Sequence, residues 1–325
     1  MLIAIGAMIT ALPQEPARAA TVHWRPQPEE VRRRFAISEP WDELVLSWNA
    51  DLEPGAAVRF IAQPEFEDGT TGRYDLGTWT AEREGPNART SVNGQDDDGA
   101  RVETDILVLK KPAKGVWIEV VPFRKTAKLR LITVSLADSK RDPKAAPAPD
   151  IAPLDVPQKA QRNYPNGGVI CSPTCVSMVL GYWAKARNRP EWAVDVPAVA
   201  DGTYDPGWNG TGNWSFNAAF AGSLPGMAAY ATRLNSVDEL YDLLKKGVPV
   251  VASVSYALLK GRPSREANDG HLVVLVGAQK DGQLVFNDPG IREVRTTYPL
   301  DAFMRAWSAS GGTVYLIGPS DALGV

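Results

Sequence analysis

Cysteine and histidine are scarce in this sequence. Its 325 residues include two cysteines, Cys171 and Cys175, and two histidines, His23 and His271. A zinc site built from several cysteines and a disulfide-rich scaffold are both excluded, because each needs more cysteines than the chain has. Thiol or imidazole chemistry therefore has very few candidate residues.

A strong excess of one charge is also missing. The chain has 35 basic and 38 acidic side chains, which give a net charge of −3. Such a balance favours neither nucleic acid nor an anionic membrane as a partner. With 44% hydrophobic residues, the composition is that of a globular protein, and the length suits about two domains.

The sequence begins with a short apolar run, MLIAIGAMITAL. It is too short to span a bilayer, which takes about 20 residues. Ala17-Arg18-Ala19 then offers small residues at alternate positions, as a signal peptidase requires. We therefore predict a signal peptide over residues 1–19 and a secreted protein, extracellular or periplasmic; a buried N-terminal strand or helix is the alternative. No later run is long enough to predict a transmembrane segment in the mature chain.

Residues 20–137 are predicted to be a β-sandwich accessory domain. Short segments rich in β-branched and aromatic residues alternate there with turn signals, and no amphipathic helix lies between them. The predicted strands cover residues 44–48, 57–63, 105–110, 116–123 and 129–136.

Two features of this domain allow a second interpretation. Its tryptophans could form a carbohydrate platform, but large aromatic residues more often fill a sandwich core. The acidic turn at 96–99 could hold calcium, but a solvated tight turn is the simpler interpretation. The tryptophans in question are Trp41, Trp48, Trp79 and Trp117.

A proline-rich linker is predicted over residues 138–153. Pro143, Pro147, Pro149 and Pro153 alternate there with charged residues. Such a composition favours an extended chain and gives no apolar face to bury.

Residues 154–325 change to an α+β pattern. A helix is expected to begin near Ser172 or Pro173, and a second is marked by the capping box from Ser236 to Glu239 and stopped by Gly247. A helix packed on an antiparallel sheet is the expected arrangement. The predicted strands cover residues 249–256, 271–279, 284–288 and 313–318.

Three residues of this domain suggest nucleophilic catalysis. Cys171 lies where a loop turns into the first helix, and a helix N-terminus stabilises a thiolate. His271 opens an apolar strand, and Asp288 ends the next strand. A cysteine nucleophile, an imidazole base and an orienting carboxylate form the usual set for covalent acyl transfer.

The strand register decides whether His271 and Asp288 can meet. A two-residue turn at Asp281-Gly282 would pair Asp288 with Leu275, about 13 Å from His271 at roughly 3.3 Å per residue. A four-residue loop from Ala278 to Asp281 would place His271 directly opposite Asp288. We predict the longer loop.

An oxyanion also needs hydrogen-bond donors. Gln161 is the candidate from the approaching loop, and Gln158 is the second choice. Other interpretations of the cysteines remain open. Cys171 could be a small buried hydrophobic residue, a Cys171–Cys175 disulfide would be strained within one helix, and a zinc site that joins both cysteines to His271 and Asp288 has marginal spacing.

The segments around these residues resemble the papain-like cysteine peptidases of family thirty-nine, in particular a secreted, stand-alone bacterial branch. Together with the N-terminal domain, the likeness covers nearly all of the mature chain. It implies Cys171 as nucleophile, His271 as base, Asp288 as its orienter and Gln161 as oxyanion donor. It also implies a cleft wall with substrate contacts from Trp214 and Asn217. The segments that carry it are VPQKAQ, CSPTCVSMVLGYW, GTGNWSFNAAFA, GVPVVASVSY, GHLVVLVGA and VFNDPG.

The predicted function is that of a secreted cysteine peptidase that hydrolyses peptide or amide bonds without cofactor or metal. Its partner would be a peptide or protein substrate, with cell-wall peptide as one candidate; no partner of the β domain can be named. The alternative is a non-catalytic, peptidase-like protein that binds peptide or cell wall. A weaker third possibility is an anchoring protein in which the β domain is the active part.

Overall fold

The computed structural model describes residues 17–123, 125, 127–263 and 269–325. Most of the predicted signal segment therefore lies outside the described residues. Arg18 and Ala19 are described. Ala19 pairs with Ala137, and the buried Arg18 guanidinium donates to Leu234 O at 2.9 Å, contacts that cleavage before Ala20 would remove.

Every regular element among the described residues up to 137 is a β-strand, as the sequence predicts. β-Branched and aromatic residues dominate these segments, and Gly and Asp close the turns between them. The strands are β1 (Ala19–Trp24), β2 (Arg32–Phe35), β3 (Glu43–Leu52), β4 (Ala57–Phe66), β5 (Tyr74–Thr80), β6 (Ala100–Glu103), β7 (Ile106–Leu109), β8 (Ala113–Phe123) and β9 (Ala127–Ala137).

These strands form two antiparallel sheets, ordered β1-β9-β3-β7-β6 and β2-β8-β4-β5. Side chains from both sheets meet in one hydrophobic cluster that includes Trp41, Trp48 and Trp79, as the core interpretation predicts. Trp117 is an exception to that prediction. This half-buried residue lies outside the cluster and donates through Nε1 to Glu65 at 2.8 Å. Asp97 accepts bonds from Gly99 N and Ala100 N, so the acidic turn is a hydrogen-bonded tight turn.

The following region contains a third sheet, antiparallel throughout, ordered β10-β15-β11-β12-β13-β14. Its strands are β10 (Met227–Arg233), β11 (Val250–Ser255), β12 (Gly270–Ala278), β13 (Gln283–Asn287), β14 (Arg295–Pro299) and β15 (Thr313–Pro319). The helices are α1 (Cys171–Ala186), α2 (Val196–Thr203), α3 (Trp214–Ser223), α4 (Val237–Lys245), α5 (Tyr256–Leu259), α6 (Leu300–Ser308) and α7 (Ser320–Leu323).

Two of these helices were predicted. α1 packs its apolar side chains against the sheet, and Val176, Val179 and Leu180 are fully buried. α4 begins with the predicted capping box, in which Ser236 and Glu239 each satisfy a backbone N–H of the first turn. Gly247, with φ of 77°, follows the end of that helix, as expected for a residue with a left-handed conformation.

The two regions share an extensive contact along β10, an edge strand of the third sheet. Asn49 on β3 donates to Ala229 O at 2.7 Å and accepts from Ala229 N at 3.0 Å. Ser47 accepts from Ala231 N at 3.2 Å. Polar side chains of the first region thus satisfy backbone groups that an edge strand leaves unpaired.

The proline-rich segment is extended, as predicted, but it packs along the third sheet. Ile151 exchanges two backbone hydrogen bonds with Ala278, at 2.8 and 3.1 Å. Leu154 N donates to Val276 O at 2.8 Å, and Ile151 is partly buried in the cluster beneath. The prediction that this segment has no apolar face to bury is wrong, because Ala146, Ala148 and Ile151 pack partly buried against the core.

Candidate active site

Cys171 is the first residue of α1. The preceding Ile170 offers no side-chain cap, so the first backbone N–H groups remain available to an anion. Burial raises the pKa of the Cys171 thiol, but hydrogen bonds from His271 and from the N–H groups of Leu272 and Ser172 outweigh it and leave the pKa below its ordinary value. The half-buried thiol is therefore readily ionised.

His271 lies near the start of β12, where it pairs with Val254 of β11 and is 5% exposed. Its Nε2 lies 2.7 Å from Asp288 Oδ1, which leaves the other ring nitrogen for the Cys171 sulfur. Burial lowers the pKa of His271, but the hydrogen bonds with Asp288 and Cys171 raise it to about 9. The ring therefore favours the imidazolium form beside a thiolate.

Asp288 follows the last residue of β13 and is fully buried. Burial raises the pKa of its carboxyl, but hydrogen bonds from His271, from the Tyr298 hydroxyl and from Gly290 N–H lower it to about 2. Asp288 thus remains a carboxylate. The structure brings the three predicted residues into one hydrogen-bonded line, in the order Cys171, His271, Asp288.

The predicted register of this hairpin is wrong. Val274 pairs with Asn287, and a β-bulge shifts the register between Leu275 and Gly277. The residue after Asn287 therefore lies opposite Val273, not His271. His271 and Asp288 are diagonal neighbours on one face of the sheet, a spacing that long side chains can bridge.

Gln161 lies in a single 3-10 turn and is 6% exposed. Its Nε2 donates to Gly167 O at 2.8 Å, and its backbone N donates to Pro289 O at 2.9 Å. Among the described residues, none pairs with Gln161 Oε1, although this atom is buried. Gln158 is used elsewhere, because its Oε1 accepts from Arg295 N at 3.2 Å.

The predicted cleft wall is the start of α3. Trp214 is its first residue and is half-buried against the core that also contacts Cys171. Asp105, from the first region, accepts a hydrogen bond from Trp214 N. Asn217 is fully buried and donates to Thr211 O at 2.7 Å, so it supports the loop from below and is not presented to a ligand.

Cys175 differs sharply from Cys171. It is fully buried, contacts Leu272 O at 3.2 Å, and burial raises the pKa of its thiol well above the ordinary value. Both thiols are free. Within the described part of the chain, no group of three or more His, Cys, Asp or Glu residues is arranged to hold a metal ion.

Sequence reasoning missed the residues that surround Asp288. Tyr298 donates to Asp288 Oδ2 at 2.6 Å, and the ring of Tyr256 lies 4.1 Å from that of His271. Lys260 lies 3.5 Å from the same carboxylate oxygen. The β-branched run Thr296-Thr297 before Tyr298 could have indicated β14 and its place beside β13.

No helix in the described residues is long and apolar enough to cross a bilayer. No curated protein matches the chain. Several solved structures match the chain, including the following two. One is a candidate C39-like peptidase from Bacillus anthracis, which is 20% identical with a TM-score of 0.41 and covers 51% of this chain and 96% of its own. The other is a serine protease of Aeromonas sobria, which is 9% identical with a TM-score of 0.22 and covers 39% of this chain and 28% of its own.

Two family models match the sequence. The Peptidase C39 N-terminal domain matches residues 29–140, and the Peptidase C39-like family matches residues 153–315. The second match spans half of the chain and contains Cys171, His271 and Asp288. This protein therefore belongs to the Peptidase C39-like family.

Proposed function

We propose that this protein is a cysteine peptidase of the α+β, papain-like type that hydrolyses peptide or amide bonds through Cys171, His271 and Asp288. The observation that carries the proposal is the hydrogen-bonded line of thiol, imidazole and buried carboxylate. Membership of a C39-like peptidase family supports the same activity. A β-sandwich over residues 20–137 would act as an accessory domain.

The proposed reaction begins from a thiolate–imidazolium pair. Cys171 Sγ attacks the carbonyl carbon, and the oxyanion is held by the Cys171 N–H and by Gln161 Nε2, which would exchange its contact with Gly167 O for the substrate. His271 then donates its proton to the leaving amine as the carbon–nitrogen bond breaks. Water, deprotonated by His271, hydrolyses the resulting thioester and releases the acid with the free thiol.

The depressed thiol pKa and the raised imidazole pKa support this mechanism, because the ion pair then exists over a broad pH range. Asp288 orients the ring through Nε2 and stabilises the imidazolium. A protein that only bound peptides would need none of these three groups in contact. Trp214 would line the cleft, and Asn217 would hold the wall behind it.

Replacement of Cys171 tests the proposal. Cys171→Ala should abolish labelling by a thiol-directed peptide inhibitor and lower peptide hydrolysis by roughly 1000-fold or more, since the nucleophile is lost. The inhibitor adduct is located by mass spectrometry, and cleavage is followed with a peptide library.

Cys175→Ala is the matched control, because it removes the other thiol four residues along the same helix. It should keep both the adduct and the cleavage in molecules that fold. Hydrolysis that persists in Cys171→Ala, or an adduct that moves to Cys175, would refute the assignment.

We further propose that the protein is secreted, on the basis of the apolar run and the Ala17-Arg18-Ala19 segment. The measurement is the N-terminal residue of protein recovered outside the cytoplasm. Recovery only from the cytoplasm, with residues 1–19 retained, contradicts this part of the proposal.

A further inference from the structure

The two oxygens of Asp288 have different partners. Oδ1 lies 2.7 Å from His271 Nε2 and accepts from Gly290 N at 2.8 Å. Oδ2 accepts from the Tyr298 hydroxyl at 2.6 Å. The orienting carboxylate is therefore held on both sides, by His271 and Gly290 on one and by Tyr298 on the other.

The direction of the second hydrogen bond is fixed by the charge of Asp288, because an ionised carboxylate can only accept. The Tyr298 hydroxyl therefore donates its proton to Asp288, and its oxygen accepts from the Lys260 ammonium group on the other side. The chain Lys260, Tyr298, Asp288, which we call the carboxylate relay, begins in a half-buried ammonium group and ends in a fully buried carboxylate.

Geometry explains why a relay would matter. Rotation of an aspartate carboxylate about its last bond is soft, and the contacts with His271 and Gly290 both fall on Oδ1, so they leave Oδ2 unrestrained. A short bond on Oδ2 restricts that rotation and keeps Oδ1 on Nε2. Tyr298 reaches this position from β14, where it pairs with Leu284 of β13.

We propose that Tyr298 is a positioning residue for the His271–Asp288 pair and that Lys260 orients its hydroxyl. The inference deepens the proposed peptidase function and rests on it for its catalytic meaning. Tyr256 is a weaker member of the same surroundings, with its hydroxyl 3.4 Å from Oδ2.

Other charged and titratable groups lie around the His271–Asp288 pair. Cys171 lies on α1, and Tyr256 and Lys260 lie at α5. Asp269 precedes β12, and its carboxylate accepts hydrogen bonds from Ser255 Oγ and Ala257 N. Arg162 and Arg262 act on Tyr256 from farther away. None of these replaces Tyr298, which makes the shortest hydrogen bond to Asp288 Oδ2 among the described residues.

The test measures Cys171 alkylation by iodoacetamide as a function of pH, with the modified residue identified by mass spectrometry. In the unmodified protein, reactivity should change as His271 loses its proton near the pKa of about 9. In Tyr298→Phe the carboxylate can turn away, so the imidazolium loses part of its stabilisation. The pH at which the alkylation rate changes should therefore fall by about one unit.

The same variant should lower kcat about 10-fold with little change in KM, because orientation of the base acts on the chemical step. Lys260→Met should give a smaller change in the same direction, since Tyr298 can still donate. Lys260→Arg should restore most of the activity, because it keeps a cationic donor. Lys260 is partly exposed and also lies 3.5 Å from Asp288 Oδ2, so its variants test the cationic support of the carboxylate, both direct and through Tyr298, even if Tyr298→Phe folds poorly.

Tyr74→Phe is the matched control. Tyr74 also donates to an aspartate, Asp97, at 2.6 Å, but in the first region. It should leave kcat and the alkylation profile unchanged. A profile of Tyr298→Phe that equals that of Tyr74→Phe would overturn the relay.

Alkylation needs no substrate, so the two proposals can fail separately. Shifted profiles in a protein that cleaves no peptide would support the relay and refute the peptidase. Cleavage that depends on Cys171 but is unchanged in the Tyr298 and Lys260 variants would support the peptidase and refute the relay.

Discussion

Each region of the molecule contains one histidine, and the two rings have opposite properties. His23 lies on β1, where Nδ1 lies 3.0 Å from the Thr133 hydroxyl. Partial burial of the ring and the nearby Arg25 lower the pKa of His23. His271 is far more buried, yet its pKa rises to about 9.

The difference shows that the partner of a histidine outweighs its burial. Removal from water disfavours the charged ring in both regions. His271 has a carboxylate and an ionisable thiol as partners, whereas His23 has a neutral hydroxyl and a nearby cation. Only the first arrangement can hold a proton for transfer to a leaving group.

The largest effect on activity is expected from replacement of His271. His271→Ala should lower kcat/KM by roughly 1000-fold or more, because it removes both the base and the proton donor. Peptide hydrolysis and circular dichroism would be measured on the same samples.

His23→Ala is the control for that variant and should stay within about twofold of the unmodified protein. Equal losses in the two histidine variants would contradict the division of roles. So would a folded His271→Ala protein with undiminished hydrolysis.

A smaller effect is expected at the two glutamines of the approaching segment. Gln161→Ala should lower kcat about 100-fold if its amide holds the oxyanion. Gln158→Ala should change kcat little, since its side chain contacts Arg295 N. Steady-state kinetics of both variants provide the measurement. A loss of kcat in Gln158→Ala as large as that in Gln161→Ala would contradict the assignment of Gln161 as the oxyanion donor.

The smallest effect on activity is expected at the contact between the regions. Asn49→Ala leaves the buried N–H and C=O of Ala229 without their partner, so the free energy of unfolding should fall by about 2 kcal/mol or more. In protein that remains folded, kcat should be nearly unchanged. Denaturant unfolding provides the measurement.

Asn93→Ala is the matched control, because Asn93 also donates across the contact, to Gly207 O, but is exposed. Its unfolding free energy should change by less than about 0.5 kcal/mol. Equal losses of unfolding free energy in the two variants would contradict the expectation that the buried hydrogen bonds of Asn49 stabilise the protein more than an exposed one.

Much of the second region could be predicted because its signals are local. The start of α1 and the capping box of α4 depend on neighbours within four residues. The meeting of His271 with Asp288 was also expected, but for the wrong reason. The bulge that sets their register lies where Gly277 meets a distant segment: a Cβ there would lie 2.9 Å from Ile151 O.

Helix α3 was missed for a different physical reason. Its sequence, WSFNAAFAGS, lacks an apolar stripe because both of its sides are buried. Phe216 and Ala219 join the core of the first region, while Ala218 and Ala221 join that of the second. Periodicity indicates a helix only when one side faces water.

The coverage of β10 by the first region has a consequence for the aggregation of shorter fragments of the chain. An uncovered edge strand is a template on which another chain can add a strand, and that is a common route to aggregation. Asn49, Ser47 and Ser135 accept from the backbone N–H groups that an incoming strand would need, and Asn49 also donates to Ala229 O. The first region thus covers this edge, and a fragment starting after residue 153 would expose it as a template for another strand.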